Sequence, residues 1–325
     1  VTGRAWLMLT LYTLAGFAHA DEPAGGVEAA LGRARVYLAR EVPRWERANG
    51  CFSCHHDGDG TRALVALAPR GAAFPPELAR TRDWLRDPDS WDRGEAESPF
   101  RDARLGRLQF AAALADLTGA GWVNSAGPLR RAAARLAADQ DADGSWPIEG
   151  AGFLPGGPTT LGRALVTAEA LRVLRQTDED VYRSEILRGQ GWLARLEPRS
   201  MPERYAVAIG LPPEHPAAAR ARGRIRDAQG RDGAWGPFPD APPEVFDTAL
   251  GVLALAGAFP EAAARGRAWL LGQQGEDGAW AETTRPSGGE SEAQRLSTTA
   301  WAARALLSGR KPAPGSTPSR PGSSR

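Results

Sequence analysis

Apolar residues recur at helical spacing in two late stretches of the chain. One runs through Phe246, Ala249, Leu250, Leu253 and Ala254, the other through Leu296, Ala300, Ala303 and Leu307. Each follows an Ala- and Arg-rich helical run and a turn, so the repeating unit is a helical hairpin. A single hairpin cannot bury such a stripe, and neighbouring hairpins must stack to make a continuous core. The pattern places six hairpins, at about 27–69, 78–118, 127–175, 182–211, 214–258 and 260–309, with the first two the faintest.

Three turns share one spelling: QDADGSW from Gln140 to Trp146, QGRDGAW from Gln229 to Trp235, and QGEDGAW from Gln274 to Trp280. Past each turn a second helix opens around Thr167-Ala168, Thr248-Ala249 or Thr299-Ala300. The Gly and Asp suit a turn that ends a helix, with Gly free to take positive φ, and the Trp covers that turn. This Q-x-x-x-G-x-W repeat resembles the QW motif of the prenyltransferase and squalene-oxidase repeat family, which includes the squalene-hopene and oxidosqualene cyclases. The resemblance implies an all-α chain folded as an α/α toroid, about six hairpins forming inner and outer helix rings. It gives Gln140, Trp146, Gln229, Trp235, Gln274 and Trp280 a bracing role, and it implies an apolar isoprenoid ligand in the ring's cavity.

The chemistry of that family is not spelled out here. Protonation-driven cyclases need a D-x-D-D acid motif, in which neighbouring carboxylates hold a reactive proton, and the chain has none. The D-D-x-x-D metal motif of ionising terpene synthases is also missing. Asp87, Asp89 and Asp92, like Asp178-Glu179-Asp180, fall in charged stretches between helices and read as solvated. Asp247, near the start of a second helix, reads as a residue that complements that helix's free amides.

The chain has 325 residues. Arg4, the apolar run Trp6 to Phe17 and Ala18-His19-Ala20 read as an export signal over residues 1–20, which places residues 21–309 outside the inner membrane as the toroid domain. Export implies a periplasmic or extracellular protein with no stable membrane span once the signal is cleaved. Residues 310–325, rich in Pro, Gly, Ser and Arg, read as a disordered tail. Without Arg4 the 40 basic residues become 39 against 39 acidic, and no basic run concentrates a field, so nucleic acid is not an expected partner.

Both cysteines of the chain lie in Cys51-Phe52-Ser53-Cys54-His55. C-x-x-C-H is the spacing of covalent haem attachment: two thioethers anchor the porphyrin edge, and the adjoining imidazole reaches the iron. Heme c is therefore the expected cofactor, with Cys51, Cys54 and His55 as its site, electron transfer or a redox-linked role as sensor or partner module as its function, and a redox partner implied. A disulfide between Cys51 and Cys54 is one alternative. A zinc site is another, although past the signal the chain adds only His215 to the motif and its neighbour His56. For the iron's other face, His56 is too near in sequence to cross the porphyrin, which leaves Met201, followed by Pro202, and His215 as candidates. Asp57-Gly58-Asp59-Gly60 reads as a turn. Aligned with the later repeats, CFSCHHDGDG takes the place of Q-x-x-x-G-x-W, so that the haem motif stands in for one structural brace.

Overall fold

The computed structural model describes residues 24–69, 71–92, 102–148, 162–282 and 291–309. The signal segment and the tail expected from the sequence lie outside the described residues. Within them the chain folds into α1 (Ala24–Asn49), α2 (Thr61–Leu67), α3 (Ala79–Leu85), α4 (Ala103–Gly119), α5 (Ala126–Ala138) and α6 (Gly162–Asp178). These are followed by α7 (Arg183–Arg195), α8 (Met201–Gly210), α9 (Pro216–Asp227), α10 (Val245–Leu255), α11 (Pro260–Gly272) and α12 (Glu292–Leu307). The six hairpins are the pairs α1–α2 through α11–α12, in register with the sequence pattern.

Even-numbered helices surround the axis. Each packs on the even-numbered helices before and after it, and α12 returns onto α2, so the ring closes. Odd-numbered helices form the outer layer, running antiparallel to their partners. The architecture is an all-helical α/α toroid, with no strand among the described residues.

The inner helices are apolar almost all round, as helices packed on every side must be. In α10 every residue except Leu253 is buried, which extends the expected stripe to the whole surface of the helix. Helix starts are fixed locally. Ser125 accepts the Gly127 amide at α5, Ser291 accepts the Gln294 amide at α12, and Ser200 with Glu203 forms a reciprocal capping box at α8.

The three Gln–Trp turns are equivalent braces. Gln229 Nε2 donates to its own turn at the Gly233 carbonyl and to the next outer helix at the Ala262 carbonyl, both at 2.8 Å, while its Oε1 accepts from Arg265. Trp235 Nε1 donates to the Ile225 carbonyl at 2.7 Å, and its amide donates to Thr248 Oγ1. Gln140 and Trp146 repeat these contacts with Glu185, Leu136 and Thr167. Gln274 reaches Ala30 in α1 and so fastens the last hairpin to the first. Gly233 and Gly278 take φ of 90° and 88° as the turn passes against the following outer helix.

The first hairpin departs from the expected alignment. Gly50 (φ 65°) ends α1, and Cys51–Ser53 alone make the connection. Cys54–Gly60 is a π-helical turn that runs straight into α2, so Asp57-Gly58-Asp59-Gly60 is buried helix, not a turn. A Cβ on Gly58 would stand 2.9 Å from Gln109 Cβ, and one on Gly60 would stand 2.6 Å from Val42 Cγ2. These glycines serve close helix packing, which a local reading of Gly-Asp-Gly cannot distinguish from a turn. In place of a Gln–Trp brace, Arg80 pairs with Glu46 at 2.6 Å to join α1 to α3.

Candidate functional site

Two groups of chemically capable residues stand out, one at the start of the first inner helix and one on the axis. At the helix start, Ser53 Oγ accepts the His55 and His56 amides at 3.2 and 3.4 Å, and Asp57 Oδ2 accepts the Ser53 amide at 2.8 Å. This reciprocal cap fixes which residues turn inward. Phe52 stacks on Trp84 with centroids 4.5 Å apart, His56 stacks on Trp45 at 4.5 Å, and Asp57 Oδ1 accepts from Thr81 Oγ1 at 2.8 Å.

Cys51, Cys54 and His55 are only partly buried, as are Phe52 and Ser53 between them. The thiols are unbridged, and Cys54 Sγ lies 3.5 Å from His55 Nδ1. Burial alone would lower the basicity of His55; the negative charge and hydrogen bond of Cys54, with Asp59 behind, raise it to about 9. His56 is driven down to about 3 by burial, then by the neighbouring positive charges of His55 and Arg44. Burial raises Asp57 to about 7, against the hydrogen bonds from Ser53 and Thr81.

Two thiols and an imidazole held on one accessible turn are the donor set that a covalently bound haem requires, and the residues fit that group. No cluster of three His, Cys, Asp or Glu side chains converges as a metal cage among the described residues. The candidates for the iron's other face are not brought to the motif. Met201 is buried as the first residue of α8, across the ring from His55. His215 caps α9 with Nδ1 accepting the Ala217 amide, at the opposite end of the ring. Both were suggested by residue type, and ring topology separates them from His55. His56 is turned away into the Trp45 stack.

On the axis, Arg62 is buried with its side chain 2% exposed. It pairs with Glu169 at 2.8 Å and Asp116 at 3.1 Å, and Asp59 lies 3.9 Å away. Arg172 joins the same carboxylates at 2.7 and 3.0 Å. Burial would raise Glu169, yet the guanidiniums of Arg62 and Arg172 hold it at about 2. Tyr205 is pushed up to about 12 by burial and by Glu169. The space left beside Arg62, Glu169, Gln109 and Trp301 is ≈10 Å³, about the size of one water. Residue spacing alone does not reveal this network; its signal is a lone charge inside an apolar helical run, Arg62 in TRALVAL and Glu169 in ALVTAEAL. The acidic groups that were read as solvated do lie outside the core: Asp92 pairs with Arg107 at 2.9 Å and with Arg135. Asp247 is fully buried within the first turn of α10, whose cap position is Glu244.

No family model and no curated protein matches the chain. Solved structures do. A protein from Actinoplanes aligns over 87% of this chain and 99% of its own with 19% identity and a TM-score of 0.57. A variant of the type II terpene cyclase MstE from Scytonema, in complex with geranylgeranyl dihydroxybenzoate, aligns over 87% and 97% with 13% identity and a TM-score of 0.57. A glycosidase variant in complex with glucose covers 89% and 99% at 15% identity, again with a TM-score of 0.57. At such identities the likeness establishes the toroid, and one toroid hosts unrelated chemistries.

Proposed function

We propose that the chain is an exported α/α-toroid protein bearing one covalent c-type haem, with Cys51 and Cys54 as thioether donors and His55 as the iron ligand, and that it exchanges electrons with a redox partner in the periplasm or outside the cell. The observation that carries this reading is the sorting of side chains along one turn. His56 and Asp57 are buried, while the run from Cys51 to His55 that carries the two thiols and the imidazole is only partly buried. When bound, the haem supplies one-electron chemistry. Ser53 and Asp57 hold the turn, and His55 offers a nitrogen not tied to the cap. The reading assigns the iron one ligand from the motif, His55.

The test is expression with its export signal beside a cytochrome-maturation system, followed by a denaturing gel stained for haem and by intact-mass measurement. A stained band with the mass of one added haem, lost in Cys51→Ala/Cys54→Ala, is the expected result. An exported, unstained band overturns the reading, and a mass lower by two hydrogens assigns the cysteines to a disulfide instead.

A second reading, an enzyme or binder of an isoprenoid, draws support from the likeness to a terpene cyclase solved with its isoprenoid substrate. The axis of this ring is filled by Arg62, Glu169 and Trp301, so the reading places an isoprenoid at the rim. Incubation with geranylgeranyl-type compounds, followed by mass spectrometry for a new product or a retained ligand, separates it from the first.

A further inference from the structure

A pocket away from both groups is lined by charges that the fold leaves uncompensated. It lies where the 228–244 connection, on its way into α10, passes over α8 and the end of α9. The connection is built, not slack. The Met201 amide donates to the Pro237 carbonyl at 2.9 Å, and the Glu244 amide donates to the Trp235 carbonyl at 3.0 Å. At Gly236 the chain doubles back so closely that a Cβ would stand 2.6 Å from the Ala241 carbonyl oxygen. Asp240 takes φ of 64°, a left-handed conformation that a non-glycine residue adopts at a cost. The pocket is open to solvent and has a volume of ≈530 Å³, within the range of small-molecule sites.

Arg204 from α8 and Arg224 from α9 both line this pocket. Neither guanidinium has a hydrogen-bond or ion-pair partner among the described residues, and Arg204 Nε is buried without an acceptor. Burial and the like charge of Arg224 both push Arg204 below the ordinary arginine range. Glu203 opposes this at Arg204, but its carboxylate is held by the Arg199 and Ser200 amides, and the carboxylates that line the pocket are turned elsewhere. Asp227 is held by Arg226 at 2.7 Å, Asp232 Oδ1 is turned to the Ala234 amide, and Asp240 is exposed at the rim where solvent screens it. Phe238, 57% exposed, offers a flat apolar surface on the same wall.

A buried Arg204 Nε–H without an acceptor, beside the like charge of Arg224, is costly unless an anion answers it, and an arginine fork matches the oxygens of a carboxylate or phosphate. We propose that this pocket binds a small organic anion, its carboxylate or phosphate held by Arg204 and Arg224 and its flat apolar body lying on Phe238. The site is independent of the haem reading.

Isothermal titration of the full exported chain with phenyl phosphate tests it, with inorganic phosphate and benzylamine as comparison probes. Saturable binding of phenyl phosphate is expected, weaker for inorganic phosphate and absent for the cation. Arg204→Gln and Arg224→Gln should each weaken it by about tenfold or more, and Phe238→Ala should bring phenyl phosphate toward the affinity of inorganic phosphate. Arg224 and Phe238 are exposed, so those variants report on binding even where Arg204→Gln disturbs the fold. Absence of phenyl phosphate binding, equal binding of benzylamine, or affinity unchanged in Arg224→Gln overturns the proposal.

Discussion

Arg62 shows how a single residue sets conditions for the molecule. Its guanidinium lies on the ring axis against the buried Glu169 and the partly buried Asp116, so its removal leaves two carboxylates to share Arg172 as their remaining ion-pair partner, and that penalty exceeds whatever net stability the pair supplied. Arg62→Met should therefore lower unfolding stability by about 3–5 kcal/mol, and Arg62→Met/Glu169→Met should recover part of the loss; urea denaturation followed by circular dichroism measures both. The same network predicts a pH response. Glu169 titrates at about 2 in the fold against an ordinary 4.5, so the unfolded chain takes up the proton first. The stability it contributes is present above about 4.5 and is lost as the pH falls from there toward 2. Denaturant midpoints in that acid window should fall less steeply for Glu169→Gln than for the parent protein, and equal slopes would refute the assignment.

Glycine behaves differently from element to element. The contrast explains what could be read from the sequence and what could not. Hairpin number and order were legible because they depend on local spacing, a helical apolar period and a turn glycine, while the bracing role of Gln and Trp came from the resemblance of the repeat to the QW motif. The first inner helix was not legible in this way, because Gly58 and Gly60 are helical for the sake of neighbours remote in sequence, Gln109, Val42 and Leu296. The donor set Cys51, Cys54 and His55 was visible as a motif, whereas the Arg62 network and the Arg204 pocket arise only when the ring brings distant helices together. A paired substitution separates the two uses of glycine. Gly223 in α9 faces open space, so Gly223→Ala should stabilise by about 0.5–1 kcal/mol through backbone entropy. Gly60→Ala gains the same propensity, but its Cβ meets Val42 Cγ2 at 2.6 Å and Leu296 Cδ2 at 3.1 Å, and overpacking of that kind costs about 1–3 kcal/mol. The net change at Gly60 should be destabilising, and thermal unfolding of the two variants side by side should show opposite signs.

At the scale of the whole molecule, closure distinguishes this toroid from an open stack of hairpins. An open solenoid gains stability from neighbour contacts and can fray from either end. Here the last hairpin is fastened to the first through Gln274 and Ala30, and α12 packs on both α1 and α2. Among the described residues, neither the first helix nor the last is then an end of the ring. Ala24 begins an outer helix and Leu307 ends the adjoining inner helix, so both lie at the rim opposite Cys51, as does the exposed α6–α7 connection at 179–182. A circular permutant that joins Gly309 to Ala24 through a short flexible linker and opens the chain within 179–182 keeps every helix pair of the ring. It should fold with the parent's helical content and a single cooperative urea transition, with fluorescence of the brace tryptophans coinciding with circular dichroism. Removing residues 291–309 instead takes away α12, strips the covering from α1, α2 and α10, and opens the ring; this shorter chain should unfold in separated steps or fail to fold. If the permutant lost its cooperative transition while the truncated chain kept it, closure would not be what holds the ring together.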